Sequence, residues 1–451
     1  MDRQGRSSLV ARVSQAHCLV KVSRTYRNKT RRESRPGTNE VCVFGLNFPP
    51  EPTGIAPYLG GLASGLAAAG HDVAAFVAFP HYPKWEIQEG YRGLTRDEQF
   101  HGVRVRRLRH YVPRPPRGIR RLASELSFGF RLLVSRWGSP RVIITVSPPL
   151  FASAMVALRV RLTRPRPRMI LWVQDIYSLG LAETGEGSAL VRRITTSIEK
   201  WTMRAADHVV VIHSRFADFV TDKLEVPTAH VVVSRNWTHL PPSTEVDSRA
   251  AKARLGWVSQ PFVAVHTGNM GAKQALENIV DAARLADERG APVQFVLVGE
   301  GGERAALEEY GRGVTRVTFV DPLGDDEYRL ALGAADVLLV NEKAGVSEMA
   351  MPSKLTAYFD AGRPVVAATD PAGITASEVA AAQAGVIVPA GDPAALLNAV
   401  LALQADPEAA ATCAASGRRH REAVLDEQGA LQRWRNLVGD TAIVDPSRST
   451  K

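Results

Sequence analysis

From residue 41 onward the chain alternates between short unbroken apolar runs and longer segments whose apolar residues recur at helical spacing. VCVFG at 41–45, VAAFVA at 73–78, RVIITVS at 141–147 and MILWVQD at 169–175 read as buried strands. Between the first two, Tyr58, Leu59, Leu62 and Leu66 share one helical face that ends at Gly70. Helices are also expected over 119 to about 137, 150–162 and 189–204, and VVVSRNW at 231–237 closes the first half. The second half repeats this alternation without repeating the sequence. Strands are expected in 262–269, 293–299, 317–320, 336–340, 364–368 and 385–388, and helices over 275–289, 325–335 and from Pro352 to Gly362. Strand–helix–strand order predicts parallel sheets, whose ligands gather at the strands' carboxyl ends. The expected fold class is therefore α/β, with two doubly wound Rossmann-like domains facing a central cleft.

Five segments follow from this pattern. Residues 1–39 have no apolar period and read as a disordered basic arm or a start codon placed too early. Residues 41–240 form the first domain, 241–250 a Pro/Ser-rich linker, 251–425 the second domain, and 426–451 a C-terminal helix and tail. The last helices, from about 407 to 438, are expected to pack back across both domains.

A chain of 451 residues is too long for one ordinary core and suits two such domains. Cys18, Cys42 and Cys413 fit neither a metal spacing nor a disulfide framework, which points to the reducing cytoplasm. No apolar run approaches the ~20 residues of a membrane-spanning helix, and no signal-type apolar segment follows the basic N-terminus. The net charge of +10 is unevenly placed. Residues 103–168 hold sixteen arginines against Glu125 alone, and residues 1–40 are also basic, so the remainder is acidic. Such asymmetry suggests a face built for an anionic surface. In the helix from Ile119, Leu122, Leu126, Phe130, Leu133 and Val134 form one stripe, with Arg120, Arg121, Arg131 and Arg136 around it and Arg117 just before it. Two readings fit: a helix resting on an anionic membrane through Arg117, Arg120 and Arg121, or an arginine-edged core helix.

The candidate chemistry lies in the carboxyl-end loops. Pro352 suits the first turn of a helix, and this stretch has two readings: an anion site of free N–H groups to which Ser353 and Lys354 add a hydroxyl and a cation, or an ordinary strand–helix–strand unit with a solvated lysine. Lys273 ends the loop after the strand at 262–267. Two lysines and a helix terminus would neutralise a diphosphate without metal. Gly54, in the proline-rich loop after the first strand, would let backbone approach a ligand; the glycines do not follow the spaced dinucleotide fingerprint, which argues against NAD. Asp175 ends its strand facing the crevice. It could accept a proton, orient substrate, or simply bond its own loop.

Several motifs, taken together, resemble one family. They are GLNFPPEPTGI with GHDV, the HYPKW loop, QDIY, TGNMGAKQALEN, KAGVSEMAMPSKLT and AGRPVVA. Over residues 41–425 the chain resembles the retaining GT-B-fold glycosyltransferases of family 4, in the branch that builds exopolysaccharide and capsule of colanic-acid type. The resemblance implies a nucleotide-diphosphate sugar as donor, no cofactor, and a glycan or polyprenyl-linked acceptor met at the inner face of the plasma membrane. It implies that Gly54, Asn269, Lys273, Ser353 and Lys354 hold the donor phosphates. Ser347, Glu348 and Thr356 would meet the donor sugar and ribose, and Asp175 and Glu348 would be catalytic. The chain also departs from the family. Ala357 stands where the ribose-binding glutamate falls, Asn269 replaces an arginine, and the Gln174–Asp175 pair replaces a histidine near the reaction centre. Two other function classes remain at this point. A sugar-nucleotide epimerase shares the fold, and the arginines could bind nucleic acid, although they cluster beside prolines rather than among stacking aromatics.

Overall fold

The computed structural model describes residues 40–52, 54–116, 118–184, 187–238, 246–257, 262–345 and 354–439. The expected arm 1–39 and the first half of the expected linker, 241–245, lie outside these residues.

The first sheet is assembled from β1 (Val41–Gly45), α1 (Ala56–Ala68), β2 (Val73–Ala78), β3 (Thr95–Phe100), β4 (Val103–Leu108), α2 (Gly118–Val134), β5 (Val142–Ser147), α3 (Leu150–Leu162), β6 (Arg168–Val173), α4 (Tyr177–Thr184), α5 (Ala189–Ala205), β7 (His208–Val211), α6 (Ser214–Asp222) and β8 (Val231–Val233). Its strand order is β3-β4-β2-β1-β5-β6-β7-β8, parallel throughout except for the β3–β4 edge pair. Val41 pairs with Val73 on one side and Val142 on the other, so the order reverses at β1. β1, β2 and β5 are buried along their whole length, as strands covered by helices on both faces require.

The second sheet follows from α7 (Ser248–Arg254), β9 (Val263–Thr267), α8 (Glu277–Arg289), β10 (Gln294–Val298), α9 (Arg304–Tyr310), β11 (Val317–Val320), α10 (Asp325–Ala334), β12 (Val337–Asn341), α11 (Lys354–Ala361), β13 (Val365–Thr369), α12 (Ile374–Ala382), β14 (Gly385–Pro389) and α13 (Pro393–Ala405). Its order is β11-β10-β9-β12-β13-β14, all parallel. Here the order reverses between β9 and β12. The loops that leave those two strands flank the crevice where a doubly wound sheet binds its ligand.

Two helices end the described residues, α14 (Pro407–Val424) and α15 (Glu427–Gly439). α14 lies against α11, α12 and α13, whereas α15 joins the first core: Trp434 meets Trp172 with ring centroids 4.9 Å apart. A Cβ at Gly65 would come within 2.7 Å of Leu431, so the glycine lets α15 seat on α1. The C-terminal helices thus pack across both domains.

Two features of the first sheet have no local signal in the sequence. The edge hairpin strand β3, TRDEQF, is almost wholly exposed and has no apolar alternation to announce it. The arginines of β4 differ in their surroundings. Arg104 and Arg106 pair with Asp72 and Asp97, but Arg107 is buried, ion-paired to Glu98 and donating to the carbonyls of Pro49 and Ala78.

Candidate active site

The second-domain half of the site rests on His266, the penultimate residue of β9. Its imidazole is fully buried, with Nδ1 3.2 Å from the Leu339 carbonyl and Nε2 3.2 Å from Lys354 Nζ. A carbonyl can only accept, so Nδ1 carries the proton and Nε2 is left to accept from the lysine. Burial and the neighbouring ammonium hold His266 well below its ordinary pKa, hence neutral. Lys354 opens α11. Burial pushes its pKa down to about 8, against the opposing pull of Glu342. The amine lies beside the Gly268 turn, where φ is +111° and a Cβ would stand 3.9 Å from Nζ.

That turn is held from beneath. Gly268 N–H donates to Val298 and Met270 N–H to Glu300, each at 2.9 Å. The approach is so close that a Cβ on Gly299 would stand 1.9 Å from the Gly268 carbonyl oxygen. Asn341, at the end of β12, donates to the carbonyls of Gln274 and Ala275 and so clips the other end of the loop. Asn269 is exposed, 3.4 Å from Gln274 Oε1. Lys273 closes the loop, and its carbonyl accepts the N–H of Lys343. Ser347, Glu348 and Ser353 lie outside the described residues. Thr356 is buried beside Tyr58 of α1, and Thr238 donates to its carbonyl at 3.3 Å. Thr356 therefore stands at a junction of the two domains, next to the buried Ala357.

The first-domain half is centred on Asp175, just past β6. Burial raises its pKa, and the charges of Lys273 and Arg121 oppose that rise. Lys273 comes from the second domain, so the two domains meet electrostatically at this carboxylate. Arg121 is one of the arginines assigned above to a membrane surface. Its guanidinium instead lies 3.7 Å from Glu125 and 5.9 Å from the Trp85 ring centroid, facing this cluster. Glu125 is buried in turn, accepting from the Tyr177 hydroxyl at 2.6 Å and from Phe151 N–H at 3.2 Å. Arg120 donates to the Arg114 carbonyl at 2.8 Å; Arg117 lies outside the described residues. Gln174 and Asn236 exchange reciprocal amide hydrogen bonds of 3.3 and 2.7 Å. Gly54 takes a left-handed turn, φ +67°, beside the Tyr82 ring. Among the described residues no three His, Cys, Asp or Glu side chains form a metal-ligating group.

Residues 53–237 match the family described as Glycosyl transferase 4-like domain, and residues 261–406 that described as Glycosyl transferases group 1. WcaI of Escherichia coli (strain K12), named for colanic acid biosynthesis as a glycosyl transferase, is 32% identical over 338 residues, which span 72% of this chain and 81% of that one. The chain belongs to the family 4 glycosyltransferases. Its fold agrees. Sucrose-phosphate synthase from Thermosynechococcus elongatus superposes with a TM-score of 0.67 at 20% identity, over 89% of this chain and 98% of that one. Anabaena HepE, solved in complex with UDP, gives 0.66 at 17%, over 88% and 99%.

Sequence reasoning missed several residues of this glycosyltransferase. His266 sits inside an apolar strand run, where a lone histidine is ordinarily a packed core residue. Glu51, in the proline-rich loop, accepts four hydrogen bonds, from Asn47 Nδ2 and from the N–H groups of Phe48, His81 and Tyr82. It thereby ties the loop after β1 to the loop after β2. Glu378 of α12 is fully buried where the domains join, ion-paired to Arg235, 3.0 Å from His213 and 3.7 Å from His420. These roles depend on pairings across 30 or more residues, which local spacing does not reveal.

Proposed function

We propose that this glycosyltransferase moves a sugar, with retention, from a nucleotide-diphosphate sugar to a polyprenyl-linked glycan acceptor during surface-polysaccharide synthesis. One observation carries the reading. Lys273 and Lys354 stand on the two loops that flank the reversal point of the second sheet, and Asp175 faces Lys273 from the first domain. A donor diphosphate laid over the Gly268 turn would meet both cations as its charge develops. The UDP bound by HepE and the family membership support a nucleotide donor.

In the transfer, the bond between the sugar's anomeric carbon and the diphosphate oxygen breaks, and the acceptor oxygen bonds to that carbon. The acceptor's proton passes to a donor phosphate oxygen or to Asp175. Burial in a water-poor site makes Asp175 the more basic carboxylate that such a step needs. Lys273 and Lys354 hold the leaving diphosphate, which makes a divalent ion unnecessary in this reading.

Acceptor access is proposed to occur at the cytoplasmic face of the membrane. No helix among the described residues is long and apolar enough to cross a bilayer. The apolar stripe of α2 faces outward: Ile119, Leu126, Phe130 and Val134 are exposed, while Ser124, Glu125, Phe128, Gly129 and Leu132 face the core. The decisive experiment is product analysis by proton NMR, with nucleotide sugar and polyprenyl-diphosphate-linked saccharide as substrates. An anomeric coupling that matches the donor supports retaining transfer. Epimerised nucleotide sugar without glycoside product would refute it.

A further inference from the structure

β2 and β4 run parallel, so the loops that leave them emerge on the same side of the sheet as Asp175. Between these loops lies a pocket of about 570 Å³, whose walls include Trp85, Ile87, Arg109, His110, Tyr111 and Arg114. Arg114 closes it from the side, donating to the Trp85 carbonyl at 3.0 Å and ion-pairing with Glu86. His110 is only 6% exposed, and neither of its ring nitrogens has a hydrogen-bond partner among the described residues. Its ring is wedged edge-on between His81, at 4.8 Å, and Phe128, at 5.9 Å. Burial, reinforced by His81, pushes its pKa down to about 3, so the ring is neutral and offers one N–H and one lone pair. Leaving both unmet costs about 1–3 kcal/mol per group.

Trp85 adds an independent sign. Its backbone sits at φ +52°, a left-handed conformation that is a genuine outlier for so bulky a residue. Strain of this kind persists where surrounding structure enforces it, commonly at ligand sites. His81 and Tyr82 pack edge-on against the indole, at 5.5 and 6.3 Å, and Arg121 lies over it. Trp85 therefore links the pocket to the Asp175 cluster. The ionic groups of the wall leave one net positive charge, since Glu86 offsets Arg114 but not Arg109. An aromatic face with a neutral donor–acceptor pair and little net charge suits a polyol better than a diphosphate.

We propose that this pocket seats an uncharged sugar ring of the acceptor glycan, with His110 exchanging hydrogen bonds with adjacent hydroxyls and Trp85 covering the ring's apolar face. This rests on the glycosyltransferase reading above and adds where the acceptor's saccharide sits.

The test uses the full chain labelled with 5-fluorotryptophan, the Trp85 resonance being identified by its loss in Trp85→Phe. Methyl glycosides of glucose, galactose and fucose are titrated separately, then inorganic pyrophosphate. At least one glycoside should shift the Trp85 resonance saturably at millimolar concentration, with affinity reduced tenfold or more in His110→Phe, and pyrophosphate should leave it unmoved. His110→Gln, which keeps one donor and one acceptor, should retain most of the affinity and serves if the phenylalanine variant fails to fold. The proposal is overturned if no glycoside moves the resonance, if pyrophosphate does, or if both His110 variants bind as wild type. UDP and GDP binding, measured on the same samples, separates the failures. Nucleotide binding without any glycoside response sinks the pocket alone, whereas loss of both sinks the donor reading as well.

Discussion

Lys354 Nζ lies 3.2 Å from His266 Nε2, and that imidazole is fixed as an acceptor because its other nitrogen faces the Leu339 carbonyl. The lysine at the proposed phosphate site is therefore oriented by a neutral ring, while the Glu342 carboxylate adds a longer-range pull. A neutral acceptor orients the amine while leaving its charge for the incoming diphosphate.

This relationship predicts a pH dependence. The Lys354 pKa is lowered to about 8 by burial, so in the free enzyme the ammonium is lost as pH rises through that value. Nucleotide-diphosphate affinity should fall above about pH 8, and binding near pH 8.5 should take up a proton. The folding term has the opposite sign. Between about 8 and the ordinary lysine value the unfolded chain binds the extra proton, so this group's contribution to stability rises with pH there. Calorimetry in buffers of different ionisation enthalpy reads the uptake. Lys354→Ala should reduce UDP or GDP affinity severely and abolish the pH step. His266→Phe should cost roughly 1.5–3 kcal/mol of binding, the worth of a hydrogen bond to a charged group. His266→Gln should recover most of it. Unchanged nucleotide affinity in Lys354→Ala would place the donor elsewhere.

Asp175 and Lys273 make the second prediction. Asp175→Asn removes a proton acceptor but keeps the side chain's shape, so kcat should fall on the order of 100- to 10,000-fold with nucleotide affinity nearly unchanged. Lys273→Ala should instead weaken nucleotide binding and lower kcat together. A purely loop-bonding Asp175 would leave kcat within severalfold of wild type in steady-state assays.

The third prediction concerns metal. Two lysines provide the countercharge, so transfer should survive millimolar EDTA with less than a twofold change in initial rate. Activity lost to EDTA and restored by Mg²⁺ or Mn²⁺ would show that the lysines alone do not hold the leaving group.

How far these features could be read from the sequence depended on their range. Unbroken apolar runs such as VCVFG and VAAFVA announced parallel strands, because burial on both faces removes the polar alternation. Lys273 and Lys354 were legible because each follows a strand end. β3 was not, since an edge strand that binds by backbone needs no apolar side chains. His266 and Glu51 were not, because each takes its meaning from partners far along the chain, Lys354 at one end and the His81–Tyr82 loop at the other. Arg121 was legible as part of a basic helix, but its pairing with Glu125 and its place over Trp85 were not, since helical spacing does not reveal contacts with other elements.

Glu51 supports a stability prediction. Its carboxylate is 2% exposed and accepts four hydrogen bonds. Glu51→Ala would leave three backbone N–H groups and one amide without it. A loss of about 3 kcal/mol or more in denaturant unfolding is expected, because buried donors stripped of a charged acceptor bear their full desolvation cost. Glu51→Gln should cost less, keeping an acceptor oxygen. A loss below 1 kcal/mol for the alanine variant would mean that the loops are held by other contacts.

The last prediction is membrane docking through the helical face of the first domain. α2 packs on α3 so closely that a Cβ on Gly129 would stand 3.0 Å from Ala152 Cα, and α5 lies on the other side of α3. All three helices turn apolar residues outward: Ile119 and Phe130 on α2, Leu158 and Leu162 on α3, Leu190, Ile194 and Trp201 on α5. Exposed arginines accompany them, Arg120 and Arg161 among them, with Arg193 and Arg204 on α5. Many arginines of the 103–168 segment already serve the fold, as Arg159 does by capping the α2 carbonyls of Leu132 and Leu133. In this reading the surface ones carry the attraction. Each is worth about 1 kcal/mol near an anionic leaflet, so a few in register suffice for reversible attachment, and salt should release it. Wild-type protein should sediment with phosphatidylglycerol/phosphatidylethanolamine vesicles at low salt and remain in the supernatant at high salt or with phosphatidylcholine alone. Phe130→Glu with Leu162→Glu, or Arg161→Glu with Arg193→Glu, should abolish sedimentation while UDP or GDP binding persists. If wild type stays in the supernatant at low salt, the exposed apolar residues serve a different partner and the docking reading fails.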